Sequence, residues 1–324
     1  MADLFRRRGR NWRRPAPVSR MWPRFLLGGL LLAVIVLVVG ALAVTTPSDS
    51  AGPAGAGDNI GVPAPFETAS PAATAAAQPI PVPARLLLAL SSTAAWRAPT
   101  GSCPGTPITL EYTTDGGATW KPSTSAGALG ATSVLDLERG ASGAVIAIGQ
   151  VPDDCAPREL TTVNRADKWK PNPTPLGAWY VAPGSPASVT SPTGVIAAPC
   201  PAVADVRAGV EQNVAVLCTD ERLYRSKDAG VTWDTGIWVP GARALGSNRQ
   251  GYLVAAMGTP MCGGVVLEVF SPSMAPRDRT VVGCHETDAD PAATPVSISV
   301  AADAVWLWVG DQIVALTRNG ATWA

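Results

Sequence analysis

Two segments of this 324-residue chain repeat one eight-residue pattern: Thr113-Thr114-Asp115-Gly116-Gly117-Ala118-Thr119-Trp120 and Ser226-Lys227-Asp228-Ala229-Gly230-Val231-Thr232-Trp233. Both read Ser/Thr-x-Asp-x-Gly-x-Thr-Trp, and both follow a short strand-like run. Each position has a physical use. The Asp carboxylate accepts backbone N–H groups in a turn, and Gly117 or Gly230 tolerates the left-handed backbone that a tight reversal needs. The hydroxyls of Thr113 or Ser226, and of Thr119 or Thr232, tie the turn to its flanking strand. Trp120 and Trp233 supply a large apolar surface for packing beside it. The octapeptide therefore predicts a self-locking hairpin between two strands.

After Val44 the apolar residues alternate and show no helical spacing. Val296, Ile298 and Val300 alternate with Ser297 and Ser299. Val305-Trp306-Leu307-Trp308-Val309 and Ile313-Val314-Ala315-Leu316 flank Gly310-Asp311, the signature of a tight hairpin. Many short strands bounded by Gly, Pro and Asp predict an all-β sandwich, barrel or propeller.

The octapeptide resembles the Asp-box, or BNR, repeat of sialidase-type β-propellers, and this resemblance selects the propeller among the three. In such families the box lies on the blade periphery, which implies that Asp115 and Asp228 serve the fold and not catalysis. Weaker copies follow: Thr162 to Trp169, with Asn164 in the Asp position, and Gly320-Ala321-Thr322-Trp323, with Arg318 in that position. The four tryptophans Trp120, Trp169, Trp233 and Trp323 are 49, 64 and 90 residues apart. Blades take about 40–50 residues, so the longest gap predicts a box-less blade near residues 241–289, and the middle gap leaves room for a partial one. Five to six blades are expected. Ile80 to Leu90 is expected to close the ring by adding an outer strand to the last blade.

The N-terminal region reads differently. Residues 1–24 hold eight arginines against one acid, Asp3, and Phe25 to Val44 carries no charge. A helix needs about 20 residues to span a bilayer, and flanking arginines keep the N-terminus in the cytoplasm. The expected organisation is a cytoplasmic tail (1–24), one uncleaved transmembrane helix (25–44), a disordered Pro/Ala/Gly-rich linker (45–83) and an extracytoplasmic propeller (84–324) at the cell membrane. Residues 45–324 hold 17 basic and 24 acidic side chains. That acidic balance argues against nucleic-acid binding.

All six cysteines follow the apolar segment. An even number in an oxidising compartment predicts disulfides, with fifteen connectivities open. Neighbour pairing is expected: Cys103–Cys155, Cys200–Cys218 and Cys262–Cys284, the last two bracketing hairpins.

Catalytic signals are sparse. The sialidase resemblance implies an Arg-Ile-Pro motif, three carboxylate-binding arginines, a Tyr–Glu nucleophile pair and an acid/base Asp. No Arg-Ile-Pro is present, and Tyr112, Tyr180, Tyr224 and Tyr252 are the only tyrosines. A glycosidase would need at least two carboxylates, with arginines, at the mouth of the central channel. His285 is the only histidine, and Glu286, Asp288 and Asp290 beside it read as a solvated acidic loop. No metal, cofactor or catalytic residue is expected. Trp306 and Trp308 are expected between blades, while Trp179, Tyr180 and Trp238 are the candidates for exposed partner contacts. Asp-box propellers outside the sialidases include photosystem II assembly factors and sortilin-type receptor domains, which bind proteins or peptides. The resemblance therefore implies a non-catalytic scaffold for an extracytoplasmic protein or envelope component. The competing class is a carbohydrate-active protein, lectin-like or a divergent glycosidase.

Overall fold

The structure is a computed structural model that describes residues 84–324, apart from 124–129, 141–142, 164–167, 173–176, 250, 273–278, 320–321 and 324. The arginine-rich tail, the Phe25 to Val44 segment and the linker lie outside the described residues. Among the described residues no helix is long and apolar enough to cross a membrane.

The described chain is all-β and forms a six-bladed propeller. Blade one contains β1 (Arg85–Ala89), β2 (Ala95–Pro99), β3 (Glu111–Thr113) and β4 (Lys121–Pro122). Blade two contains β5 (Ser133–Arg139), β6 (Val145–Gln150), β7 (Pro157–Val163) and β8 (Lys168–Asn172). Blade three has β9 (Tyr180–Val181), β10 (Ser188–Ser191) and β11 (Gly194–Ala197). Blade four contains β12 (Val203–Ala208), β13 (Val214–Cys218), β14 (Arg222–Ser226) and β15 (Ile237–Trp238). Blade five is β16 (Ala242–Asn248), β17 (Gly251–Met257), β18 (Gly264–Phe270) and β19 (Arg279–Glu286). Blade six is β20 (Val296–Val300), β21 (Ala304–Val309), β22 (Gln312–Asn319) and β23 (Thr322–Trp323). The box-less blade expected near 241–289 is blade five, and the partial one is blade three. Strands within a blade run antiparallel. Among the described residues a single parallel pairing, Gly283 with Trp323, joins the rims of blades five and six.

Burial follows radial position. Every residue of β13 and β17 is buried, because a second strand has neighbouring blades on both of its faces. That is why Val214 to Cys218 reads as an unbroken apolar run. The outer strands β4 and β11 are mostly exposed. β1, β5, β9, β12, β16 and β20 neighbour one another around the ring, which closes where β20 meets β1.

The closure differs from the expected borrowed strand. Arg85–Ala89 is the inner strand of blade one and pairs with β2, while blade six carries its own outer strand, β23. The burial of β1 explains this, since four consecutive residues, Leu86 to Ala89, are buried and an outer edge could not cover them. Leu86 and Leu88 pack toward blade two, whereas Leu87 and Ala89 pack with Ala304 and Trp306 of blade six. Side chains hold the seam. The Trp306 indole Nε1 donates to Ser91 O at 2.7 Å, and the Ala89 N–H donates to Ser299 Oγ at 2.9 Å. The Arg97 guanidinium lies 4.4 Å from the Trp120 ring centroid and 5.4 Å from that of Trp308, while Arg85 stacks over Trp308 at 4.7 Å. Such cation–π contacts strengthen when partly desolvated, as these half-buried rings are.

Both octapeptides fold alike, each joining the third and fourth strands of its blade. Thr119 N–H donates to Asp115 Oδ1 at 3.0 Å and its hydroxyl to Oδ2 at 2.5 Å; Gly117 N–H donates to Thr113 Oγ1 at 3.1 Å. In the second copy Thr232 N–H and hydroxyl donate to Asp228 at 2.8 and 2.6 Å, and Gly230 N–H to Ser226 Oγ at 2.8 Å. The threonine hydroxyls first, and the backbone donors next, hold both carboxyls below the usual range. Gly230 has φ +80°, and a Cβ there would lie 2.3 Å from Ile196 of blade three. The turn is thus also an inter-blade contact.

The disulfides are Cys103–Cys155, Cys200–Cys218 and Cys262–Cys284, with Cα separations of 5.6, 6.3 and 5.8 Å. The first clamps the β2–β3 loop to the β6–β7 loop, the second ties the entry to blade four onto β13, and the third lies within blade five.

Candidate functional site

Among the described residues two cavities lie in the channel that the inner strands surround. The larger, about 640 Å³, opens where β1, β5, β12 and β20 begin; the smaller, about 340 Å³, lies where they end. Asp136, Trp179, Val206 and Arg207 line both and so form the waist between them. Blade three makes the room. Its inner strand is two residues long, and the chain there runs from the waist at Trp179 toward the larger cavity at Ala182 to Pro186, opposite to the other inner strands.

The waist is charged. Arg207 reaches from β12 in blade four to Asp136 on β5 in blade two, with Nη1 to Oδ1 at 2.7 Å. Its Nη2 lies 3.3 Å from Asp205 Oδ1, and its Nε donates to Leu245 O at 3.0 Å. Asp205 Oδ2 in turn accepts the Leu245 N–H at 3.1 Å. Arg207 therefore spans the position where blade three contributes least backbone, and it couples blades two, four and five.

Burial and charge set the protonation states. Desolvation pushes the Asp136 carboxyl up to about 6 against the pull of Arg207, and raises that of Asp205. Burial alone would lower the Arg207 pKa, but the Asp205 and Asp136 carboxylates more than offset it and hold the guanidinium protonated. Glu138 follows Asp136 by two residues on β5. Desolvation, then the adjacent Asp136 charge and a hydrogen bond to that side chain, push it up to about 8.

The raised carboxyl gives a signed pH effect. Unfolded, Glu138 titrates near 4.5; folded, it holds its proton to about pH 8. The folded state binds more protons across that window, so stability is greatest below it and falls as pH rises through it. Chemical denaturation of Glu138→Gln should lose much of the decline that the parent chain shows between about pH 5 and 8.5. Parallel declines in the two proteins would count against a proton on Glu138.

The sequence-derived residues are scattered. No octapeptide residue lines either cavity among the described residues. Trp179 and Tyr180 are not exposed contacts: they are 8% and 4% exposed, because Trp179 packs into the core shared with blade four and Tyr180 into that shared with blade two, and both border the larger cavity. Trp238 is 55% exposed. It pairs with Arg222, just after the β13–β14 loop, at the end of the ring where the larger cavity opens. Met261, 56% exposed, sits in the β17–β18 loop at that same end. Trp306 is fully buried at the seam. Among the described residues the one group with metal-type ligand atoms is Cys262, Cys284 and Glu286, and its two sulfurs are bonded to each other, which leaves a single carboxylate.

Sequence reasoning missed Asp136, Glu138, Asp205 and Arg207. A signal existed: Leu135-Asp136-Leu137-Glu138 and Ala204-Asp205-Val206-Arg207 place charges two apart inside otherwise apolar first strands.

No family profile matches this chain, and the search of curated proteins found no match. Solved structures resemble it at low identity. A structure of YCF48 bound to D1 peptide is 17% identical over 76% of this chain and 67% of that chain, with a TM-score of 0.26. YCF48 from Cyanidioschyzon merolae is 14% identical over 76% and 87%, with a TM-score of 0.36. A GH43_1 enzyme from Xanthomonas citri complexed with xylotriose is 10% identical over 76% and 91%, with a TM-score of 0.34.

Proposed function

We propose that the chain is a membrane-anchored, extracytoplasmic β-propeller that binds an extracytoplasmic protein or envelope component non-catalytically, at the end of the ring where the larger cavity opens. The observation that carries this reading is the waist: Asp136 and Asp205 are both committed to Arg207 at 2.7 and 3.3 Å. A nucleophile or general base must be free to react, whereas two carboxylates that share one guanidinium are held as fixed charge, which attracts a ligand's charge without attacking it. The same end carries exposed Trp238 and Met261, the kind of side chain that anchors a protein contact. The octapeptides act as hairpin locks in the Asp-box manner, and Phe25 to Val44 serves as the single-pass anchor.

A photo-crosslinking residue at Ser102, on the cavity rim, should capture a reproducible partner in intact membranes, and one at Val231 in the second octapeptide should not. Capture from Val231 alone would place the contact elsewhere and overturn the reading.

A second reading, carbohydrate-active, is favoured by one observation: Glu138 holds a proton beside the ionised Asp136, a pairing that suits general-acid chemistry. Hydrolysis of a polysaccharide panel that disappears in both Glu138→Gln and Asp136→Asn would establish it in place of the first.

A further inference from the structure

The larger cavity is unevenly charged. Its charged lining side chains are Asp136, Asp205, Arg207 and Arg85. Arg85 is turned to the seam, where it donates to Gly310 O and stacks on Trp308, and so does not balance the floor. Below the waist Arg139 donates to the carbonyls of Ala89 and Leu90. Among the described residues Arg207 alone therefore faces Asp136 and Asp205, with Glu138 behind them. Above this floor the lining is more apolar than polar, with Leu86, Val134, Val181 and Val296 set among Thr100, Ser133, Gln150 and Ser185. A preformed cavity of this size, mainly apolar and with convergent polar groups, is the usual form of a ligand site.

We propose that this cavity receives a basic side chain, an ammonium or guanidinium on an apolar stem, presented by an extended segment of the protein partner. This rests on the binding reading above and names the chemistry it recognises. An anion would meet Asp136 and Asp205 across a low-dielectric gap, and a neutral apolar group would leave the second carboxylate without a counter-charge. A cation on an alkyl stem satisfies floor and walls together. The raised carboxyls of Asp136 and Asp205 are consistent with this, since both lie where one more positive charge would stabilise the ionised form.

The test uses the full chain in detergent at about pH 7.5, with hexylammonium and hexylguanidinium as probes against hexanol and hexanoate, read by calorimetry. The two cations should bind at least about tenfold tighter than hexanol, with hexanoate weakest, as a charge-assisted contact predicts. Asp205→Asn should reduce cation binding by about tenfold, and Ser185→Trp or Thr100→Trp, which narrow the mouth, should abolish it. Thermal unfolding confirms that each variant is folded. Equal binding of hexanol and the cations, no binding of the cations, or cation binding undiminished in both Trp variants overturns the inference. The Ser102 crosslink separates this from the broader reading. If the crosslink persists while the cations fail, only the ligand chemistry is wrong. If the cations bind and no partner is ever captured, the protein-binding reading fails instead.

Discussion

Trp306→Ala should destabilise the folded chain by about 3–5 kcal/mol, measured by denaturant unfolding with the disulfides intact, as expected for removing a fully buried aromatic side chain. Several losses coincide there. The ring packs edge-on against Trp120, with centroids 6.1 Å apart, and lies 3.3 Å from where a Gly117 Cβ would stand. Its Nε1 is the donor to Ser91 O across the seam. Alanine leaves a cavity and an unsatisfied carbonyl at the junction where the last blade meets the first. Trp306→Phe keeps most of the volume but not the donor, so it should fall between the two. A loss below about 1 kcal/mol for the alanine variant would mean that the seam contributes little to ring stability.

Arg207→Met should cost about as much, roughly 3–5 kcal/mol, because it strands two buried carboxylates without a counter-charge. The informative comparison is a combined variant, Asp136→Leu with Asp205→Asn and Arg207→Met. The amide oxygen introduced by Asp205→Asn could still accept the Leu245 N–H, and the waist would carry no net charge. If the cluster serves binding and not stability, the combined variant should recover most of the loss, since replacing buried ion pairs by neutral groups of similar size is often neutral or better. A combined variant as unstable as Arg207→Met would instead make the network a structural tie among blades two, four and five. The two results differ by several °C in Tm for a domain of this size.

The fold is largely legible in the sequence because its information is local. Each octapeptide closes its own hydrogen bonds within eight residues, and turn residues bound the strands, so spacing alone places the box-less blade near residues 241–289. The seam is not legible, since nothing local in Leu86-Leu87-Leu88-Ala89 says whether an apolar run is covered on one side or two. Tryptophan exposure is misread for the same reason: Trp179 and Trp238 look alike in sequence, and only the assembled ring packs the first into the core between blades three and four. The waist is the hardest to foresee. Asp136 and Arg207 are 71 positions apart, and their meeting depends on the shortness of the blade between them.

The side-chain seam has a consequence for chain order. Every blade is built from one uninterrupted stretch of sequence, so no strand is threaded through the ring to fix where the polypeptide must begin. A permuted chain, opened in the Val239 to Gly241 connection between blades four and five and joined by a linker from Ala324 to Ala84, keeps all six sheets whole. In a ring closed by a borrowed strand, the same rearrangement would have to be opened within the shared blade to preserve that pairing. Here the blade is the unit of rearrangement, and no strand pairing within the described blades fixes where the ring must start.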